Sequence, residues 1–166
     1  VEHFHDTKSG MFFFNSNTDT KLIARKMELT DNVIPSSNSS IAKGLFYLGH
    51  YLDKSEYLEI SEQMLNNVLP SIDQGPGWYS NWLELMLHHT NSFYEVAIVG
   101  KDAEAKRAEM EQHYYPNKML IGGEKEDGLP LLENKLVKSD TRIYVCVDKA
   151  CQLPVSEVSE AIKQMN

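Results

Sequence analysis

The sequence is poor in cysteine and in positive charge, and both shortages narrow the choice of function. Two cysteines in 166 residues are too few for a disulfide scaffold, so a reducing, cytoplasmic setting is the default expectation. Lysine and arginine number 16 against 24 aspartates and glutamates, which gives a net charge of −8 and argues against nucleic acid and anionic membranes as partners. No apolar run approaches the roughly 20 residues that a membrane-spanning helix needs, and no signal-peptide pattern opens the sequence.

The composition is that of an ordinary globular protein, with 42% hydrophobic and 24% charged residues. The length suits one domain, or one domain and part of a second. The sequence opens with the aromatic-rich stretch VEHFHDTKSGMFFF, and because core-type residues stand at the very start, we expect the chain to be cut from a longer one. The aromatic run and the turn residues at 15–19 predict a hairpin or irregular β segment.

Helical periodicity dominates the next part of the chain. The run PSSNSS offers N-caps to a helix whose apolar residues Ile41, Leu45 and Leu48 recur at helical spacing. A second helical pattern is expected to stop at Pro70, because proline lacks the N–H that a helix interior uses. Residues 36–69 are therefore predicted to form an αα-hairpin, and WYSNWLELMLHHT predicts a third helix after a loop rich in glycine and proline.

The pattern changes near residue 92. YEVAIVG predicts a buried strand, followed by the helical stretch DAEAKRAEMEQHYY, the strands NKMLIGG and TRIYVCV, and a closing helix. We therefore predict an α+β protein, with a helical part in residues 1–92 and a small α/β subdomain in residues 93–166. The single glycine that ends YEVAIVG favours a tight strand-to-helix turn over a phosphate site, which would show a G-x-G-x-x-G pattern.

Cys146 and Cys151 form a possible thiol pair that admits three interpretations. Their CVDKAC spacing differs from the C-x-x-C of redox motifs, and a zinc site needs about four ligands. Plain structural thiols are favoured, a disulfide closing the turn after the last strand comes second, and metal or redox chemistry comes last. The histidine pairs HFH at 3–5 and HH at 88–89 lack an identifiable third ligand, so neither a metal nor a cofactor is expected.

The stretch DNVIPSSNSS, residues 31–40, raises the main functional question. One interpretation is a solvated loop with a helix cap; the other is the wall of a polar pocket that binds a sugar. Glu28 and Asp31 could act as acid and base if their environments split their pKa values, but the distance between the two carboxyl groups, which glycosidase chemistry requires, cannot be read from sequence. Residue types alone favour the loop and cap.

A longer run, KLIARKMELTDNVIPSSNSSIAKGLFYLGHYL, resembles one family. It is similar to the C-terminal part of thioredoxin-domain-containing proteins of the spermatogenesis-associated-protein-20 type. SGMFFFNS matches the aromatic hairpin of that family, EVAIVG matches its E-V-x-I-V-G segment, and VCVDKACQLP matches its V-C-x4-C-x-L-P tail. The R-K-x-E and D-N-x-x-P-S-x-N-S segments are matched by Arg25, Lys26, Glu28, Asp31, Asn32, Pro35, Ser36, Asn38 and Ser39.

The resemblance implies a fold and a pocket. These proteins carry a helical (α/α) toroid of six-hairpin-glycosidase-like, or N-acylglucosamine-2-epimerase-like, architecture, and residues 1–92 would be its last hairpins. DNVIPSSNSS would then line the central cavity, with Asp31 or Glu28 as the acid/base group of a sugar epimerase, isomerase or glycosidase. The residues that would bind the saccharide-like substrate are Arg25, Lys26, Ser36, Asn38 and Ser39. The alternative is a non-catalytic scaffold or partner-binding module, because one fold hosts many functions.

The resemblance also implies partners. The thioredoxin-like domain and most of the toroid hairpins of that family have no counterpart in this sequence, so we expect those portions of the longer chain to be the natural partners. A hairpin that lacks its neighbours leaves apolar surface uncovered. The piece by itself is therefore expected to self-associate and to be inactive.

Overall fold

The computed structural model describes residues 2–20 and 23–165, and its contacts divide the chain into two compact units. The first unit comprises Val1–Gly49 and Lys54–His89, and the second comprises His50–Asp53 and Thr90–Asn166. The second unit begins its long run at Thr90, whereas the sequence pattern predicted a boundary near residue 92. None of the helices in the described residues is long and apolar enough to cross a membrane.

The first unit starts with a short antiparallel hairpin. Strand β1, His5–Asp6, pairs with β2, Met11–Phe12. Gly10 closes the turn with a φ of 71°, which glycine tolerates because it has no Cβ. The predicted β segment is present, and the turn residues at 15–19 follow β2 rather than joining the two strands.

Three helices form the rest of the first unit. They are α1, Ser37–Leu52, α2, Ser55–Ile72, and α3, Ser80–Thr90, with a short 3-10 turn at Pro76–Trp78. The last residues of α1, from His50 on, and Thr90 at the end of α3 belong to the second unit. The prediction that Pro70 stops α2 is wrong, because the helix continues to Ile72. A proline in the last turn removes only one hydrogen bond there. The buried apolar side chains of these helices are Ala42, Leu45, Phe46, Met64, Leu65, Val68, Ile72, Trp82 and Leu85.

The second unit is a four-stranded sheet with two helices. Its elements are β3, Tyr94–Val99, α4, Ala103–Met110, β4, Lys118–Gly123, β5, Arg142–Val147, β6, Ala150–Cys151, and α5, Val158–Lys163. The strand order is β4-β3-β5-β6, in which β3 and β4 are parallel and β5 runs antiparallel to both neighbours. The structure therefore contains the predicted order of strand, helix, strand, strand and helix, and the α+β class holds.

Close backbone packing joins the two parallel strands. Gly122 pairs with Ile98, and a Cβ at Gly122 would lie 1.8 Å from the carbonyl oxygen of Ile98. Only glycine fits there, and its φ of 154° excludes most other residues as well. Side chains of β3 and β5 pack against α4, α5 and the C-terminal Met165 in one core, whose members are Val96, Ile98, Ala103, Met110, Ile143, Val145, Val158, Ala161 and Met165.

Candidate functional site

Ser36 caps α1. Its hydroxyl accepts a hydrogen bond from the backbone N–H of Ser39 at 3.1 Å, and its carbonyl accepts one from Ser40 at 3.0 Å. The first N–H groups of a helix have no partner within the helix, so a side-chain oxygen at this position stabilises it. The Ser36 hydroxyl also donates to the carbonyl of Leu29 at 3.2 Å, which fixes the approaching chain against the helix start.

Asp31 links the starts of two helices. Its Oδ1 accepts hydrogen bonds from the N–H of Ser36 at 2.9 Å and the hydroxyl of Ser39 at 2.7 Å. Its Oδ2 accepts one from the N–H of Asn81 at 2.9 Å, in the first turn of α3. The side chain is only 3% exposed. A negative charge is favourable at a helix N-terminus, where N–H groups point outward and the helix dipole is positive, so the Asp31 carboxylate serves both α1 and α3.

Asn38 attaches the hairpin to the same helix start. Its amide oxygen accepts from the N–H of Phe12 at 2.8 Å, and its amide nitrogen donates to the carbonyls of Phe12 at 2.9 Å and Glu28 at 3.0 Å. The side chain is fully buried. Asn38 therefore acts as a strand-like partner for the backbone of β2, and its polar atoms are engaged within the protein.

The upstream charged residues lie at the edge of this network. Glu28 is exposed, and its Oε2 accepts a hydrogen bond from the N–H of Ser37 at 3.1 Å. Arg25 donates through Nη2 to the carbonyl of Asn15 at 2.5 Å, with its guanidinium 4.0 Å from the centre of the Phe13 ring. Lys26 is exposed. The structure thus gathers Glu28, Asp31, Ser36, Asn38 and Ser39 at the start of α1, while Arg25 binds backbone of the N-terminal segment.

This network engages both oxygens of the Asp31 carboxylate within the protein. Both of its oxygens are occupied by protein donors, and the donors are backbone N–H groups and a hydroxyl rather than titratable groups. Ser39 is equally engaged, because its hydroxyl also accepts from the amide of Asn81 at 3.0 Å. The capping function that residue types favoured is what these contacts perform.

An open groove of about 840 Å³ lies beside the network in the first unit. Two of the predicted site residues, Lys26 and Glu28, line it, whereas Asp31, Ser36, Asn38 and Ser39 do not. Phe14 contributes a ring that is 64% exposed. The full lining is Phe14, Asn15, Ile23, Ala24, Lys26, Met27, Glu28, Leu29 and Thr30. Five of these nine residues are apolar and four are polar or charged, so the groove offers apolar surface with a few hydrogen-bonding groups, as small-molecule sites do.

A buried pair of one carboxylate and one histidine lies in the second unit and was not predicted from the sequence. Glu95 on β3 is 1% exposed, and its Oε1 lies 2.7 Å from Nδ1 of His50, on the last turn of α1. Its Oε2 accepts from the N–H of Lys149 at 2.9 Å. Burial raises the pKa of the Glu95 carboxyl, and the hydrogen bonds from His50 and Lys149 outweigh burial, so that its pKa lies below the ordinary value.

A small cavity of about 100 Å³ adjoins this pair, with the lining His50, Asp53, Glu95, Pro130, Leu131, Lys135 and Lys149. The glutamate in YEVAIVG is the one sequence feature that pointed to the Glu95–His50 pair. A charged residue inside an otherwise apolar strand must find a partner when it is buried. No local pattern identifies His50 as that partner.

Cys146 and Cys151 are joined by a disulfide. They are direct partners across β5 and β6, so the bridge closes this hairpin. The sequence analysis placed such a disulfide second, after plain structural thiols. Cys146 is 1% exposed, whereas Cys151 lies on the exposed edge strand. The bridge therefore has one buried sulfur atom and one near solvent.

A cleft of about 420 Å³ lies at the carboxyl ends of β3 and β4. Its charged lining is balanced, with Lys101 and Arg107 against Glu104 and Glu124. Arg107 is bound to Glu104 through two hydrogen bonds of 2.9 and 2.6 Å, and the contacts with Glu104 and Glu111 raise the pKa of its guanidinium. This cleft therefore offers little attraction for an anion.

The N-terminal histidines have other partners. Nδ1 of His3 lies 3.0 Å from Oδ1 of Asn17, and the His5 ring packs 4.9 Å from the Phe12 ring. Across residues 2–20 and 23–165, histidine, cysteine, aspartate and glutamate side chains nowhere form a group of three or more that could hold a metal ion.

We expect Asp31→Asn to lower the free energy of unfolding by about 1–3 kcal/mol, because the amide nitrogen would face a backbone or hydroxyl donor and leave it unpaired. Glu28→Gln is the matched control, since an amide oxygen can still accept from Ser37 at an exposed position, and its effect should stay within about 0.5 kcal/mol. Urea denaturation followed by circular dichroism measures both. Equal stabilities for the two variants would contradict the helix-linking function of Asp31.

We expect Glu95 to make the free energy of unfolding depend on pH in the acidic range. Its folded-state pKa is lowered from 4.5, so its contribution is present above the unfolded-state pKa and is lost as pH falls through the folded-state pKa. The difference in unfolding free energy between the parent protein and Glu95→Gln should therefore shrink between about pH 6 and about pH 3. Denaturation curves across this range measure the difference, and a constant value would exclude a lowered pKa.

Comparison with known proteins adds no assignment to these features. No protein-family model matches the chain, and no curated protein and no solved structure is significantly similar to it.

Proposed function

We propose that the chain is the C-terminal part of a protein of the spermatogenesis-associated-protein-20 type, and that residues 1–92 serve there as a non-catalytic, partner-binding module. The observation that carries this proposal is the Asp31 carboxylate, which is buried and accepts three hydrogen bonds at the starts of α1 and α3. An acid/base catalyst must exchange protons with a substrate. Asp31 instead holds two helices, and freeing it would undo both helix starts.

The loop that Asp31 supports displays apolar side chains. Val33 and Ile34 are 96% and 71% exposed, and both lie between the two anchored residues Asp31 and Ser36. Trp78, which is 58% exposed, belongs to a segment tied to the same loop, since its carbonyl accepts from the N–H of Asp31 at 2.8 Å. Exposed apolar groups held on a rigid loop are suited to contact with another protein surface.

The partner that fits this surface is the remainder of a helical toroid. Helices α1 and α2 are separated by only Asp53 and Lys54, as in the helical hairpins from which an (α/α) toroid is built. In the longer protein, neighbouring hairpins of the same chain would cover Val33 and Ile34. In the piece alone, a second copy would take their place.

We therefore expect the chain to self-associate, and the double substitution Val33→Ser with Ile34→Ser to weaken self-association at least about tenfold, which corresponds to about 1.4 kcal/mol. Sedimentation velocity over a range of concentrations measures it. Leu153→Ser is the control, because Leu153 is 84% exposed but lies in the second unit. A monomer at every concentration, or equal weakening by the control, would rule out the loop as a contact surface.

A second candidate function is binding of a saccharide-like molecule in the groove beside Phe14. The supporting observation is the exposed Phe14 ring near Lys26, Glu28 and Thr30, because an aromatic face with nearby hydrogen-bonding groups suits a sugar ring. Glu28 would accept from hydroxyl groups, and catalysis by a pair of carboxylates is not part of this candidate because the Asp31 oxygens are occupied.

A thermal-shift screen against sugars and sugar phosphates tests the second candidate. A ligand at about 100 times its dissociation constant stabilises the folded state by about 2.7 kcal/mol, and Phe14→Ala should abolish the shift. Asp31→Asn should lower the melting temperature and keep the ligand-induced shift, because Asp31 does not line the groove. If no sugar shifts the parent protein, or if Phe14→Ala shifts equally, the groove is not a saccharide site.

A further inference from the structure

The disulfide closes a short loop and lies where a thiol can reach it. Cys146 and Cys151 are five positions apart, and a bridge that closes so short a loop removes less entropy from the unfolded chain than one that closes a long loop. Cys151 stands on β6, the two-residue strand at the edge of the sheet, and is exposed, while Cys146 is buried on β5. An incoming thiolate can therefore approach the bridge from the Cys151 side.

The turn inside the bridge is the two-residue connection between β5 and β6. Asp148 and Lys149 have φ values of 48° and 67°, both positive as in the type I′ turns of two-residue hairpins, and Lys149 stands where glycine is usual. The bridge and the two-residue strand β6 hold this turn at its ends. Its tip is held by Glu95, which accepts from the N–H of Lys149, and by Asp53, which pairs with the Lys149 ammonium.

The bridge is thus coupled to the Glu95–His50 pair. Glu95 and Cys146 are direct partners in the antiparallel pairing of β3 and β5, so their side chains leave the sheet on the same face. Glu95 in turn accepts from the turn and lies 2.7 Å from His50. Opening the turn removes one of the hydrogen bonds that fix the Glu95 carboxylate beside His50.

We propose that Cys146–Cys151 is a thiol–disulfide exchange site whose substrate is a dithiol reductant, and that its reduction releases the turn from Glu95. The proposal is independent of the function proposed for residues 1–92. In a reducing compartment an exposed bridge is reduced, and in an oxidising one it persists. The redox state of the surroundings would then determine whether Glu95, the partner of His50, keeps its hydrogen bond from Lys149.

The exchange proceeds in two steps. One thiolate of the dithiol attacks Sγ of Cys151, the S–S bond breaks, and its electron pair moves to Sγ of Cys146, which takes a proton from water. The second thiol of the dithiol loses its proton, attacks the sulfur atom bound to Cys151, and releases the Cys151 thiolate. The protein gains two electrons and two thiols once that thiolate is protonated, and the dithiol becomes a disulfide.

The first test is reduction of the folded chain by dithiothreitol without denaturant, followed by alkylation and mass spectrometry. We expect two alkylated cysteines, unchanged far-ultraviolet circular dichroism, and at least about tenfold faster hydrogen exchange at the Lys149 amide in the reduced protein. A bridge that is reduced only in denaturant overturns the proposal, and so does a Lys149 amide whose exchange rate does not change.

The second test identifies the attacked sulfur atom. In the reduced parent protein, and in Cys146→Ser and Cys151→Ser, the rate of alkylation by iodoacetamide is measured for each thiol. Cys151 should react at least about tenfold faster than Cys146 because a buried thiol is inert. Should the buried Cys146→Ser variant fail to fold, peptide mapping of the reduced parent protein gives the same comparison. Equal rates would overturn the assignment of Cys151.

Discussion

The first unit depends on one buried charge. Asp31 accepts hydrogen bonds from Ser36 and Ser39 before and within α1, and from Asn81 in α3. Removing a carboxylate from water costs several kcal/mol, and it is tolerated here because both oxygens have donors and because two helix N-termini present positive potential to it. The same contacts position the loop of Val33 and Ile34, so that the shape of the proposed contact surface follows from the placement of one carboxylate.

The second unit also contains a buried carboxylate, but its partners differ in kind. Asp31 is held by neutral backbone and hydroxyl groups, whereas Glu95 is held by His50 and by a turn that carries a disulfide at its base. The backbone N–H groups and the hydroxyl that hold Asp31 keep the same charge and oxidation state across ordinary solution conditions. Such a constant environment suits a structural function. A disulfide can be reduced, so the surroundings of Glu95 can respond to thiols that leave the contacts of Asp31 unchanged.

The two proposals place different activities in the two units. In the first, rigidity is the useful property, because a loop already fixed before binding loses little entropy when a partner covers it. In the second, the useful property is a turn whose left-handed residues Asp148 and Lys149 are held partly by a bond that thiol chemistry can break. Neither proposal requires the groove beside Phe14 to be catalytic, and saccharide binding there is compatible with both.

Local patterns were sufficient to predict what depends on neighbouring residues. The spacing of Ile41, Leu45 and Leu48 placed α1, PSSNSS placed its cap, and the alternation of apolar runs placed the strand and helix order of the second unit. These features depend on backbone propensity and on residues within a turn or two, so the sequence contains them directly. The failure at Pro70 is also local, because a proline near a helix end costs much less than one in its middle.

Only the tertiary structure decided which distant groups meet. Asp31 and Asn81 are 50 positions apart, and His50 and Glu95 are 45 apart, so no periodicity links them. The pairing of Cys146 with Cys151 depends on the register of β5 and β6, which a shift of one residue would change. The sequence by itself determined the elements and the capping residues; packing determined that Asp31 holds two helices and that Glu95 lies between His50 and the disulfide turn, because the free energy of those contacts comes from burial that exists only in the folded chain.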